Sequence, residues 1–227
     1  MTDRIPEAVL FDLDGTLADT APDLIAALER LRLELGLPAI ETGPLRECVG
    51  RGAVAVLEGG LPELGPADRE AFRARFLDDY QARCWEASRP FDGMPDFLDD
   101  LESLNIPWGV VTNKLERFAR PVMERAGWSG RMGCLVAGDT VTQPKPAPEP
   151  VLAACSALGV DPARAVFIGD DERDVIAGRA AGTRTVAALW GYIAEPDRVD
   201  AWGADAIAEA PGVLTALLEL RCPRAAV

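Results

Sequence analysis

The sequence predicts an α/β fold in which a parallel sheet is covered by helices on both faces. Short apolar segments rich in β-branched and aromatic residues recur along the chain, such as AVLFDL at residues 8–13. Amphipathic stretches separate these segments, and several of them end in a glycine, which favours the C-terminus of a helix. Strands that alternate with helices indicate a parallel sheet that is buried on both sides.

Five strands are predicted in this pattern. They are AVLFDL at residues 8–13, IPWGVVT ending at Thr112, CLVAG near residue 136, AVFIGD ending at Asp170 and TRTVAAL near residue 186. The C-terminal ends of parallel strands lie at one edge of a sheet, so polar residues that follow these strands are expected to meet there.

Residues 20–90 depart from the alternating pattern. Four leucines recur at helical spacing between residues 24 and 35, and GPADREAFRARFLDDYQARCW is typical of a second amphipathic helix. No convincing strand lies between these two stretches. We therefore expect a catalytic core made of residues 1–19 and 91–227, with an all-helical insertion at residues 20–90 after the first strand.

The composition argues against several classes of partner. The chain of 227 residues carries a formal net charge of −14, which opposes binding to nucleic acid and to anionic membrane surfaces. No apolar run approaches the ~20 residues of a membrane span, and the charged N-terminus lacks the apolar segment of a signal peptide. We expect a cytoplasmic protein, a monomer or a homodimer, that binds neither nucleic acid nor membranes.

The residue types also limit the chemistry. The chain has no histidine, which excludes Ser-His-Asp and Cys-His catalysis and zinc sites built on imidazole. Acid-base chemistry must then use carboxylates or lysine. The five cysteines form no CxxC pair, so reduced thiols are expected rather than disulfides or a zinc site. They are Cys48, Cys84, Cys134, Cys155 and Cys222.

The strongest motif is Asp12-Leu13-Asp14-Gly15-Thr16, at the end of the first predicted strand. The chain turns where a strand ends, so both carboxylates can face one site. Adjacent carboxylates repel each other unless a cation lies between them, and magnesium suits an oxygen site beside a phosphate. Asp12 is then a candidate nucleophile and Asp14 a candidate general acid and base. The other interpretation is an acidic turn that caps a helix.

Two further sets lie near other strand ends. Thr112 and Asn113 offer a hydroxyl, an amide and free backbone N–H groups to phosphate oxygens, unless they serve as an ordinary helix cap. Lys145 lies in a Pro-Lys-Pro loop, where flanking prolines stiffen its approach. Its ammonium is a point charge suited to phosphate, and a solvated surface lysine is the alternative.

The last set follows AVFIGD. Asp170 and Asp171 end this strand, and Asp174 lies one helical turn after Asp170. These residues can supply a metal ligand and a carboxylate that orients its neighbours, or they can cap the next helix. Since all four sets follow predicted parallel strands or lie in the loop beside them, we expect them to share one site.

Together these motifs resemble the four signature motifs of the haloacid dehalogenase superfamily, and the resemblance covers the whole chain. It implies a Rossmann-like core with a helical cap after the first strand, of the type found in phosphoglycolate phosphatases. The implied activity is magnesium-dependent hydrolysis of a small phosphorylated metabolite through an aspartyl-phosphate.

The resemblance also implies a role for each motif residue. Magnesium would be bound by Asp12, the backbone carbonyl of Asp14, and Asp170. Phosphate would be bound by Thr112, Asn113 and Lys145. Three residues would support the site, namely Thr16, Asp171 and Asp174.

Longer stretches resemble a narrower group. WGVVTNK, GDDERDVIAGRAAGTRT, GYI and WGAD are similar to the subgroup that includes N-acetylmuramic acid 6-phosphate phosphatases of peptidoglycan recycling. Both N-acetylmuramic acid 6-phosphate and 2-phosphoglycolate carry a carboxylate as well as a phosphate. Arg51, in Gly50-Arg51-Gly52, lies where the resembling phosphatases have a glycine-containing stretch near the active site. It is a candidate contact for the substrate, or only part of a turn beside a helix.

Three other functions remain open. A dehalogenase shares the fold and the nucleophile but has no use for an acid at Asp14 or for magnesium. A sugar phosphomutase returns the phosphoryl group to its substrate, and product analysis distinguishes it. A binding module can keep the fold without activity. The intact set of Asp12, Asp14, Lys145 and Asp170 argues against the binding module.

Overall fold

The computed structural model describes residues 5–220 and contains two sheets. The strands are β1 (Ala8–Phe11), β2 (Ala18–Asp19), β3 (Arg89–Pro90), β4 (Trp108–Val111), β5 (Cys134–Val136), β6 (Ala165–Gly169), β7 (Arg184–Ala188) and β8 (Ala206–Ala208). The α-helices are α1 (Ala21–Glu34), α2 (Leu45–Val49), α3 (Ala53–Gly60), α4 (Pro66–Arg83), α5 (Met94–Ser103), α6 (Glu116–Arg125), α7 (Glu149–Leu158), α8 (Glu172–Ala181) and α9 (Leu214–Leu217).

Six strands form a parallel sheet in the order β5-β4-β1-β6-β7-β8. The central strand β1 is fully buried, and Leu10 pairs with Gly109 of β4 on one side and with Phe167 of β6 on the other. Because these three strands are in register, the residues that follow them emerge at the same edge of the sheet. The parallel α/β core predicted from the alternating pattern is confirmed.

The two faces of the sheet bury alternate residues of β1. Val9 and Phe11 belong to the larger hydrophobic core, whereas Ala8 and Leu10 belong to the smaller core on the opposite face. Phe11 packs edge-on against Phe97 and Trp108, with ring centroids 6.0 and 6.2 Å apart. A central strand held on both faces is a rigid support for the residues at its end.

The segment between β2 and β3 contains α1 to α4. Strands β2 and β3 pair antiparallel through Ala18 with Pro90 and Asp19 with Arg89, so the chain leaves and re-enters the core side by side. The sequence predicts only helices in residues 20–90, and β3 therefore differs from that expectation at its last two positions. A ribbon of two residues per strand is too short to give a periodic signal.

Strand β8 was not predicted from the sequence. It pairs with β7 through Ala206, Ile207 and Ala208, and alanine has a low preference for strands. The short helices α2 and α3 were also not predicted as separate elements. Both are too short to show a helical repeat that stands out from its surroundings.

Two further expectations concern the cysteines and membrane-spanning helices. The four cysteines within residues 5–220 are free thiols, while Cys222 lies outside the described residues. Among the helices of this range, none is both long enough and apolar enough to cross a membrane.

Candidate active site

Lys145 lies at the centre of the C-terminal edge of the sheet. Its ammonium is 2.9 Å from Asp12 Oδ1 and 2.7 Å from Asp174 Oδ1, and it donates to the carbonyl oxygen of Val111 at 2.8 Å. The side chain is almost fully buried, at 2% exposure. Burial alone would lower the pKa of Lys145, but the neighbouring Asp12 and Asp174 carboxylates raise it above its usual value. The lysine is therefore a fixed positive charge between the ends of β1 and β6.

Three carboxylates meet beside this lysine. Asp12 follows β1, Asp170 follows β6 and Asp174 lies on the first turn of α8, with one oxygen from each within 4.8 Å of the others. Burial raises the pKa of Asp170 well above its usual value, and the charges of Asp12 and Asp174 act in the same direction. One ammonium cannot neutralise three carboxylates, and an additional cation would relieve the repulsion.

The orientation of Asp170 is fixed by its neighbours. Its Oδ1 accepts a hydrogen bond from the Thr16 hydroxyl at 2.7 Å, and its Oδ2 accepts one from the backbone N–H of Tyr192 at 2.8 Å. Gly15 has φ +86°, and a Cβ built there would lie 2.1 Å from Asp170 Oδ2. Glycine is therefore required at position 15 both for its backbone conformation and for the close approach of the carboxylate.

Asp14 faces a different partner. Its carboxylate accepts hydrogen bonds from Lys114 Nζ at 2.8 and 3.0 Å and a short one from the Thr20 hydroxyl. Burial opposes the charged form of Lys114, but the Asp14 carboxylate raises the pKa of this lysine above its usual value. The same ammonium lies 4.8 Å from the ring centroid of Tyr80, a residue of α4. Asp14 is thus held apart from the three clustered carboxylates.

The phenol of Tyr80 is buried over this pair. Its hydroxyl makes no hydrogen bond to any residue in the described part of the chain. Burial raises the pKa of Tyr80 to about 12, so the phenol remains protonated at neutral pH. Helix α4 therefore covers the charged pair of Lys114 and Asp14 at the ends of β4 and β1.

Thr112 and Asn113 follow β4, as expected, but part of their hydrogen-bonding capacity is used. The backbone N–H of Thr112 donates to Val136 at 2.9 Å, so this group is not free for a ligand. The Asn113 side chain donates to the carbonyl oxygen of Lys145 at 2.9 Å and accepts from its backbone N–H at 3.0 Å. The side-chain amide of Asn113 holds the loop that carries Lys145.

Asp171 has the capping geometry that the sequence left open. It is the N-cap of α8, where its side chain accepts the backbone N–H of Arg173 at 2.8 Å, while Asp174 accepts the backbone N–H of Asp171 at 3.1 Å. This capping box fixes the start of the helix. Burial alone would raise the pKa of Asp171, but the hydrogen-bonded Arg173 guanidinium holds this pKa below its usual value.

A cavity of about 360 Å³ opens above these residues, between the sheet edge and the helical segment. Its apolar lining includes Leu24, Val49, Leu77, Tyr80 and Phe118. Five cations also line it, namely Arg51, Arg73, Lys114, Lys145 and Arg173. Arg51 reaches the cavity from the turn between α2 and α3, and its side chain is exposed. Four aspartates line the same cavity, namely Asp12, Asp14, Asp171 and Asp174. In a chain of net charge −14, a lining with five cations and four carboxylates is locally positive, which favours an anionic ligand.

Sequence reasoning missed four residues of this region. Lys114 directly follows Thr112-Asn113, and Arg173 lies inside the Asp171–Asp174 turn, so both had a positional signal. Tyr80 and Tyr192 had no such signal in the sequence. Their positions depend on how α4 and the loop after β7 pack against the sheet.

Comparisons with known proteins agree with this geometry. The family model for haloacid dehalogenase-like hydrolases matches residues 9–188. An N-acetylmuramic acid 6-phosphate phosphatase from Pseudomonas aeruginosa is 48% identical over 214 residues, which cover 94% of this chain and 95% of that protein. A phosphoglycolate phosphatase from Xanthomonas campestris is 44% identical over 208 residues, which cover 92% and 94% of the two chains.

A solved structure supports the same fold. A predicted phosphoglycolate phosphatase from Haemophilus somnus superposes with a TM-score of 0.82 at 22% identity, covering 95% of this chain and 99% of that one. The match of the family model over residues 9–188 and the relatives above 40% identity lead to one conclusion. The chain belongs to the haloacid dehalogenase-like hydrolase family.

Proposed function

We propose that this chain is a magnesium-dependent phosphatase that hydrolyses a small phosphomonoester through a phosphorylated Asp12. The observation that carries the proposal is the meeting of Asp12, Asp170, Asp174 and Lys145 beneath one cation-lined cavity. Relatives that match almost the whole chain are phosphatases by name, which supports the same reaction.

Asp12 and Asp14 divide the chemistry in this proposal. An oxygen of Asp12 attacks phosphorus, and the bond from phosphorus to the substrate oxygen breaks while Asp14 gives a proton to the leaving alkoxide. Water then attacks the phosphorus of the aspartyl-phosphate, Asp14 takes a proton from that water, and orthophosphate leaves. The separation of Asp14 from the carboxylate cluster supports the different tasks of the two residues. The ion pair with Lys114 fits the ionised Asp14 that takes the proton from water, so Asp14 must hold a proton, retained from the previous turnover or taken from solvent, before it can protonate the leaving alkoxide.

Hydrolases of this family generally use a divalent metal, and the donor set here fits one. Three carboxylates with a single buried lysine leave net negative charge in a low-dielectric site, which a hard dication would balance. We propose magnesium, held by Asp12, Asp170 and the backbone carbonyl of Asp14, with Asp174 close to them. When bound, it would neutralise charge on the phosphoryl oxygens.

We assign phosphate binding to Lys145, the Thr112 hydroxyl and the backbone of Asn113. Lys145 supplies a positive charge next to the nucleophile, and the Asn113 side chain fixes the position of that lysine. Phosphoryl transfer depends on positioning and charge neutralisation, so a lysine held on three sides suits the task.

We further propose two functional units. Residues 20–90 act as a cap that closes over a core made of residues 1–19 and 91–227. In this proposal the core residues contact only the phosphoryl part of the substrate. The cap must then contact the leaving group and determine specificity. Its contributions to the cavity wall, among them Arg51 and Tyr80, support this division.

N-Acetylmuramic acid 6-phosphate is our proposed substrate, with 2-phosphoglycolate as the alternative. A two-carbon acid would leave much of the cavity to water, whereas a sugar with acetamido and lactyl groups offers methyl groups to the apolar lining. Either substrate brings a carboxylate that suits Arg51. The relative that is 48% identical is named for this substrate, as an N-acetylmuramic acid 6-phosphate phosphatase.

The test is phosphate release from a panel of phosphorylated metabolites with purified protein and magnesium. We expect kcat/KM for N-acetylmuramic acid 6-phosphate to exceed that for 2-phosphoglycolate. A reversed preference would overturn the substrate, and no release from any phosphomonoester would overturn the activity. Detection of an isomerised sugar phosphate instead of orthophosphate would identify a mutase.

A further inference from the structure

We propose that Arg173, on the first turn of α8, is a positioning residue that holds the Gly50–Gly52 turn, and with it Arg51, over the catalytic edge of the sheet. This inference rests on the proposed function, because it concerns how the cap presents Arg51 to the substrate. Arg173 would then influence specificity indirectly, because Arg51 is the residue that contacts the substrate carboxylate.

The geometry places one guanidinium between core and cap. Arg173 donates from Nε and Nη2 to the two oxygens of Asp171, at 2.7 and 2.8 Å. The same Nη2 donates to the carbonyl oxygen of Gly50 at 2.6 Å. A bidentate contact with a carboxylate fixes the plane of the guanidinium, so the bond to Gly50 has a defined direction.

The carbonyl group that accepts this bond belongs to Gly50, next to Arg51, the proposed contact for the substrate carboxylate. Gly50 immediately precedes Arg51, whose backbone N–H donates to Cys48 at 3.0 Å. Gly52 follows with φ +86° and donates to Val49 at 2.9 Å. This turn is held by its own backbone bonds, but its contact with the core through Arg173 fixes where the turn lies.

The core side of the contact does not depend on the guanidinium. Asp171 also accepts the backbone N–H of position 173, and Asp174 completes the capping box. The Arg173→Ala variant therefore keeps the start of α8 and loses the bond to Gly50. Arg173→Lys keeps the charge but lacks the planar fork that contacts Asp171 and Gly50 together.

The kinetic test compares substrates with and without a carboxylate. With N-acetylmuramic acid 6-phosphate, we expect Arg173→Ala to lower kcat/KM by about tenfold or more, mainly through KM, since it misplaces a charge-assisted contact. With phenyl phosphate, which has no carboxylate, the loss is expected to be several-fold smaller than with the muramic sugar, because only the general contribution of the Arg173 charge to phosphate binding is removed. Arg173→Lys should recover little. An equal loss with both substrates would indicate a general structural role and overturn the proposal.

A double-mutant cycle separates positioning from direct contact. If Arg173 acts through Arg51, the double variant Arg51→Ala/Arg173→Ala loses no more than Arg51→Ala alone. Additive losses would mean that Arg173 binds the substrate itself, and would overturn the proposal. Arg164→Ala is the matched control, because Arg164 pairs with Glu7 at 2.5 Å at the opposite edge of the sheet.

Hydrogen exchange tests the contact without any turnover. The amides of Arg51 and Gly52 are expected to exchange faster in Arg173→Ala than in the wild type, and to be unchanged in Arg164→Ala. This result can be obtained even if the proposed substrates are wrong, so the two failures are distinguishable. Unchanged exchange at these two amides in Arg173→Ala would overturn the role of Arg173.

Discussion

Lys114 and Asp14 form a partly buried ion pair between the ends of β4 and β1, with Nζ 2.8 Å from Oδ1 and 3.0 Å from Oδ2. The pair lies under the ring of Tyr80, so a helix of the proposed cap covers the residue that we propose as acid and base. We expect the orientation of Asp14 to depend on the position of this helix. We also propose that Lys114, which no motif singled out, takes part in the reaction by orienting Asp14.

Lys114→Met should impair proton donation more than phosphoryl transfer. Without the ammonium, the protonated form of Asp14 is easier to form, but Asp14 loses the partner that orients it towards the leaving group. Since we expect the loss of orientation to dominate, kcat for alkyl phosphates should fall on the order of 10- to 100-fold. p-Nitrophenyl phosphate has a leaving group that needs no proton, so its first step, measured as a burst of p-nitrophenol, should slow far less. Hydrolysis of the aspartyl-phosphate, which also uses Asp14, should slow for both substrates. Asp14→Asn should show the same pattern between the two substrates. Equal slowing of the first step for both substrates in Lys114→Met would contradict this role.

Asp12→Asn should abolish turnover and leave the fold intact. The amide is nearly isosteric with the carboxylate but is not nucleophilic, so we expect a loss on the order of 10³-fold or more. The matched control is Asp68→Asn, since Asp68 is exposed on α4. Circular dichroism should be the same for all three proteins. Activity of Asp12→Asn within tenfold of the wild type would rule out the aspartyl-phosphate.

Metal binding should be visible in stability as well as in rate. Magnesium bound only to the folded state raises the thermal unfolding midpoint, and chelation should remove both this shift and the activity. Calcium should inhibit, because its larger and looser coordination misplaces the nucleophile.

Asp170→Asn tests the location of the metal. In chelator, this variant should be at least as stable as the wild type, because one of three buried, mutually repelling carboxylates becomes neutral. Its unfolding midpoint should no longer respond to magnesium, whereas Asp68→Asn should respond like the wild type. A full magnesium response in Asp170→Asn would place the ion elsewhere.

Gly15→Ala should lower stability and activity by more than the positive φ of Gly15 explains. Both Gly15 and Gly182 have φ +86°, but a Cβ at Gly15 would lie 2.1 Å from Asp170 Oδ2, while nothing lies within 4 Å of one at Gly182. Gly182→Ala should therefore lose about 1 kcal/mol of stability and keep its activity. Gly15→Ala should lose more stability and most of its activity, as measured by chemical denaturation and phosphate release. Equal effects would contradict the packing argument.

The sequence predicted the parts of the molecule that depend on short-range pattern. Strands such as AVFIGD are continuous apolar runs, the long helices α1 and α4 carry a helical repeat, and the motif aspartates follow the strands directly. What could not be predicted depends on partners far along the chain. Lys114 gains its role from Asp14, and Arg173 from Gly50, and in each case only the topology brings the two together. The role of the Asn113 side chain likewise depends on the path of the Lys145 loop.

The pairing of β2 with β3 has a consequence for how such enzymes diversify. Because Asp19 and Arg89 are neighbours in this ribbon, the whole intervening segment begins and ends at adjacent backbone positions. We expect that a segment of another length or sequence can be grafted between the same two points without moving Asp12 and Asp170 at their strand ends or Lys145 in its loop. We expect chimaeras joined at this ribbon to inherit the substrate choice of the grafted segment and the hydrolytic chemistry of the recipient.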